Sequence, residues 1–109
     1  MATIKEIESK IRKIALKSSS FKIGKTGLKE NERLNGHPKF KRITTIVWSK
    51  NMEIIDMLEA KMNTKFINWK TNVNKNEGSA GKMSKDADKY ILYVVYTLRR
   101  LTVTKKKKA

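Results

Sequence analysis

The chain has no cysteine, which excludes disulfides, thiolate zinc sites, iron–sulfur clusters and a cysteine nucleophile. Its single histidine, His37, rules out a metal site built on a pair of histidines. No apolar run approaches the roughly 18 residues of a membrane span. The opening residues alternate charge with isoleucine and lack the apolar core of a secretory signal, so a soluble intracellular protein is expected. Acidic residues are scarce: ten Asp and Glu stand against 26 Lys and Arg, a formal net charge of +16. Such an excess opposes compaction by self-repulsion and is ordinarily kept for a polyanionic partner. Nucleic acid comes first, because neutralising phosphates releases counterions. A membrane surface comes second, but it calls for a basic amphipathic helix with bulky aromatic residues, and the amphipathic stretch here has isoleucines only.

What is present suits one small domain. The 109 residues are 39% hydrophobic and 33% charged, enough for a modest core under a charged surface. A single domain over 1–104 is expected, with 105–109 as a solvated, mobile basic tail carrying Lys105–Lys108. Thr3 and Glu6 have the spacing of a capping box. Ile4, Ile7, Ile11 and Ile14 then recur at helical spacing, predicting a helix from Ile4 to Leu16 that Ser18, Ser19 and Ser20 end. Phe21–Lys25 reads as a short strand stopped by Gly24, Thr26 and Gly27, and Leu28–Asn35 as a charged helix broken at Gly36-His37-Pro38.

Ile43–Trp48 is β-branched and aromatic, hence a strand. Ser49 or Asn51 can cap a helix from Met52 to Asn63 with Ile54, Ile55, Leu58 and Met62 inward. Asn68–Lys89 reads as a long polar loop, a length that is ordinarily functional or disordered. Tyr90–Leu98 is the strongest strand. Tyr90, Leu92, Val94, Tyr96 and Leu98 lie on one face of it and Ile91, Tyr93, Val95 and Thr97 on the other. Both faces are largely apolar, which predicts a central, covered position.

Lys22-Ile23-Gly24-Lys25-Thr26-Gly27 invites comparison with a phosphate-binding P-loop, but the required earlier glycine is replaced by Ser19, and a turn after a strand is the better reading. The order of features is more informative. A strand carries Lys22-Ile23-Gly24, Arg33 follows nine residues after the glycine, His37 four after Arg33, and an amphipathic helix carries Met57-Leu58-Glu59 before an Asn/Gly loop. In this the stretch from Phe21 to Met83 resembles the GIY-YIG nuclease superfamily, in the divergent form whose second motif reads Lys-Ile-Gly.

The resemblance implies an α/β (α+β) fold, a small antiparallel central sheet of about three strands flanked by helices. It implies a DNA endonuclease, with RNA as the alternative polyanion, using one Mg²⁺ or Mn²⁺ held by a single helical glutamate. Carried onto this chain, Glu59 would hold the metal, Arg33 would stabilise the transition-state charge, and His37 would be a base or phosphate contact. Lys22, Lys25, Arg42, Lys70, Lys75 and Lys82 would meet phosphates.

Plainer readings stand beside these. Glu59 suits a surface glutamate making i,i+4 contacts, Arg33 a solvated phosphate contact, and His37 a turn residue beside Pro38. Trp48 and Trp69 suit core and edge packing better than base stacking.

The family's first tyrosine motif is missing before Lys22, where the isoleucine-striped helix lies. The only tyrosines are Tyr90, Tyr93 and Tyr96, all in the last strand. A circularly permuted sheet pairing that strand with Phe21–Lys25 would restore a tyrosine to the site, Tyr93 first and Tyr96 next. Without it the expected protein is a non-catalytic nucleic-acid-binding module or a basic structural protein of a nucleoprotein particle.

Overall fold

A computed structural model describes residues 3–27, 39–73 and 87–99. The order is α1 (Ile4–Leu16), β1 (Ser18–Thr26), β2 (Arg42–Ser49), α2 (Met52–Phe66) and β3 (Tyr90–Leu98). The three strands form an antiparallel sheet in the order β1-β3-β2. The fold is therefore α+β with a small antiparallel sheet, as the pattern of elements predicts. The helix expected over Leu28–Asn35, the break at His37-Pro38 and the basic tail lie outside the described residues.

Helix α1 begins where its capping box requires. Thr3 Oγ1 accepts from the Glu6 amide at 3.1 Å, and Glu6 Oε1 accepts from the Thr3 amide at 2.9 Å. Ile7, Ile11, Ile14 and Ala15 turn inward, while Ile4 stays exposed in the first turn. The serines do more than stop the helix. Ser18 Oγ donates to the Ile14 carbonyl at 2.6 Å, and the same residue already opens β1, opposite Leu98. Serine has little strand preference of its own, but the full length of β3 imposes pairing on whatever lies beside it.

The last strand is central, hydrogen-bonded on both sides, and its faces divide as the alternation predicts. Leu92, Val94 and Tyr96 join the main core with residues of α1 and α2, so both described helices cover the same face of the sheet. Ile91, Tyr93 and Val95 form a smaller cluster on the opposite face, with Phe40 and Ile43 packed against it.

Helix α2 starts at Asn51, whose side chain accepts from the Glu53 amide at 2.9 Å. It runs past Asn63 because Phe66 is buried against Phe21 and Trp69, with ring centroids 6.3 and 5.3 Å away. Asn72 Nδ2 then donates to the Phe66 carbonyl at 2.8 Å, satisfying a group the helix end leaves open. Part of the expected loop is also used: the Phe21 amide donates to Thr71 O, and the Val73 amide to Phe21 O, both at 2.9 Å. These bonds cover part of the outer edge of β1.

Candidate functional site

Alternation along β1 places Phe21, Ile23 and Lys25 on the helix-covered face, since Lys25 stands opposite Leu92. Helical spacing places Ile55, Leu58, Glu59, Met62, Asn63 and Phe66 on the inner side of α2. The two sets meet in a charge cluster. Glu59 is only 1% exposed, and its Oε1 lies 3.4 Å from Nζ of Lys25, whose side chain is 8% exposed. The same ammonium donates to Asp56, one turn earlier on α2 and largely in solvent.

Burial alone would pull the Lys25 pKa down, but the hydrogen bond to Asp56 and the charges of Glu59 and Asp56 outweigh it. The ammonium is held above its ordinary range. Lys25 is therefore a fixed cation at neutral pH, neither a base nor a nucleophile, and it faces carboxylates rather than phosphate. The residue expected to touch nucleic acid and the residue expected to hold metal have been turned toward each other.

That pairing decides how Glu59 fits a divalent ion. Mg²⁺ asks for oxygen ligands in near-octahedral order with several waters. Here an ammonium lies beside one carboxylate oxygen, and the described residues contain no group of three His, Cys, Asp or Glu able to hold a metal. As they lie, the described residues around Glu59 do not fit Mg²⁺ or Mn²⁺.

Neither Tyr93 nor Tyr96, the two tyrosines expected at the site, is brought to Glu59. Strand β3 does pair with β1, and Tyr93 does stand opposite Gly24 of the Lys-Ile-Gly stretch. Its ring lies over that glycine so closely that a Cβ there would fall within 3.0 Å of ring and hydroxyl atoms. This is the face away from the helices, shared with Ile91 and Val95, whereas Glu59 approaches from the helix side. The sheet separates the two. Tyr96 is on the helix side, but its hydroxyl lies 3.0 Å from Thr44 Oγ1. Along β3 it stands four residues, about 13 Å, from Leu92, the partner of Lys25. Arg33 and His37, with Lys75 and Lys82, lie outside the described residues.

No family model, characterised protein or solved structure matches the chain.

The remaining feature is an imbalance between acids and cations. Glu6 is engaged in the capping box, which holds its carboxyl below the usual range through hydrogen bonds with Thr3. Glu8 bridges Lys65 of α2 at 3.3 Å and Arg12 at 2.6 Å, and the Lys65 hydrogen bond foremost lowers its pKa. Asp56 and Glu59 take Lys25. Most acids in the described residues are thus committed to neighbours, and the cations left over are at the surface.

Five of these cations gather at one end of the sheet. The Arg99 amide donates to the Lys17 carbonyl at 2.8 Å, joining the end of β3 to the end of α1. Thr97 Oγ1 lies 3.5 Å from the Lys39 carbonyl, and Arg42 opens β2 opposite Tyr96 with Lys41 just before it. Lys17, Lys39, Lys41, Arg42 and Arg99 are all exposed, and none makes an ion pair among the described residues. Of the cations expected at phosphates, Arg42 belongs to this group. Lys70 is exposed in the turn after α2, and Lys22 is half-buried opposite Val95. Sequence reasoning missed Lys17, Lys39, Lys41 and Arg99. The available signal was their position just outside the strands, where antiparallel pairing brings ends together.

Proposed function

We propose that this protein binds nucleic acid through its phosphates, with little dependence on base sequence. The observation that carries the reading is the cluster of Lys17, Lys39, Lys41, Arg42 and Arg99, exposed and without acidic partners among the described residues. Each phosphate that such a group neutralises releases condensed counterions, which supplies the free energy of sequence-independent binding. The net charge of +16 steers the encounter from a distance.

The test is a salt titration with a labelled DNA duplex and its single strands, read by fluorescence anisotropy. Affinity should fall steeply between 50 and 300 mM salt, with a log–log slope near −0.9 per phosphate neutralised on duplex DNA. The double substitution Lys41→Ala/Arg42→Ala should make that slope shallower by about 2 and weaken binding to all sequences alike. Affinity that does not change with salt would overturn the reading.

A second reading keeps the resemblance to GIY-YIG nucleases and makes the protein a divalent-cation-dependent DNA endonuclease. In its favour is the antiparallel pairing of β1 with β3, which sets a tyrosine beside the Lys-Ile-Gly glycine. Against it stand the ion pair at Glu59 and the placement of Tyr93 on the other face of the sheet. Nicking of a supercoiled plasmid with Mg²⁺ or Mn²⁺, abolished by EDTA and by Glu59→Gln, would establish this reading. An intact plasmid under both ions leaves the binding module.

A further inference from the structure

Trp48, expected to pack, is 52% exposed. It stands near the end of β2, opposite Ile91, and β2 is an edge of the sheet among the described residues. Lys89, just before β3, reaches across so that its Nζ lies 5.4 Å from the indole centroid. Trp69 is the contrast: its ring packs against Phe21 and Phe66, with centroids 6.2 and 5.3 Å away. One tryptophan completes the core, and the other is half exposed with an ammonium over its ring.

That pairing of ring and ammonium has the form of a nucleotide contact. A base that stacks on the ring takes the place the ammonium holds here, and its phosphate at the ring's edge stays within reach of the same lysine. Lys50, exposed two residues further on, adds a second cation at the same strand end. The other end of the β2 edge carries Lys41 and Arg42, the latter opposite Tyr96 and so on the helix-covered face, about 20 Å away over six residues. A span of this length falls within the roughly 4–16 nucleotides that a single-strand-binding site covers. In a duplex the base faces are covered by their neighbours, so the ring can stack only on an unpaired base.

We infer that Trp48 is a stacking platform that makes this protein prefer single-stranded nucleic acid, with Lys89 and Lys50 on the flanking phosphates. The inference rests on the phosphate-binding reading above and adds the kind of strand it takes. Stacking contributes at one base, while the cations at the far end of β2 hold the backbone whether or not the bases are paired.

The experiment compares a labelled 20-nucleotide oligothymidine with a 20-base-pair duplex at one fixed salt concentration. Wild type, Trp48→Ala and Trp48→Phe are measured by anisotropy, with circular dichroism melts as the check on folding. Trp48→Ala should weaken oligothymidine binding between about 5-fold and 100-fold, the range found for losing one stacked base. It should leave duplex binding within about twofold, and Trp48→Phe should keep most of the single-strand affinity because a phenyl ring still stacks. Unchanged single-strand binding by Trp48→Ala, or equal losses on both probes, would overturn the stacking role while leaving phosphate binding in place. Wild type that binds neither probe would overturn both readings.

Discussion

Lys25→Met removes the ammonium that lies against a carboxylate with 1% exposure while keeping the length of the side chain. Breaking a buried ion pair by deleting one partner typically costs about 3–5 kcal/mol, because the remaining charge stays out of water. Asp56 adds little to that loss, since solvent already screens an exposed carboxylate. A domain of this size has only about 5–15 kcal/mol to lose, so the variant should melt roughly 12–40 °C lower, or fail to fold at all. The second half of the cycle keeps the idea refutable: Lys25→Met/Glu59→Gln removes the orphaned charge and should recover more than about half of the loss.

The pH dependence has a definite sign. The Lys25 pKa is raised above 10.5, so its contribution to stability is fully present below that value. It is lost as pH rises through the higher folded-state pKa. Thermal melts should show an alkaline loss in wild type that the double variant lacks. A Lys25→Met protein within about 1 kcal/mol of wild type, or a double variant no better than the single, would refute a buried charge cluster.

Asn63 is fully buried, and neither its amide nitrogen nor its carbonyl oxygen has a hydrogen-bond partner among the described residues. Asn63→Leu, close in shape, should stabilise the fold by about 1–3 kcal/mol in urea unfolding; a lower midpoint would mean that internal water satisfies the amide. Gly24→Ala should destabilise by about 1–3 kcal/mol, because the new methyl group runs into the buried Tyr93 ring. Adding Tyr93→Val should recover part of that loss, and a neutral Gly24→Ala would show that the ring moves aside freely.

The sequence by itself determined the features whose cause is local. The capping box set the start of α1, the isoleucine spacing its buried face and the serines its end, and two apolar faces marked β3 as the strand to be covered on both sides. The sign and size of the charge were likewise plain from composition. Only the tertiary structure decided which partners those residues met. Register put Lys25 opposite Leu92, and so against α2, while the next residue back, Gly24, faced Tyr93 on the other side. A shift of one residue would have exchanged the two, because side chains along a strand alternate with a period of two. No spacing along the chain reports that parity, since it is set by pairing between residues almost seventy positions apart. For the same reason the cations of Lys17, Lys41, Arg42 and Arg99 are scattered in sequence and become one surface only where antiparallel strands end together.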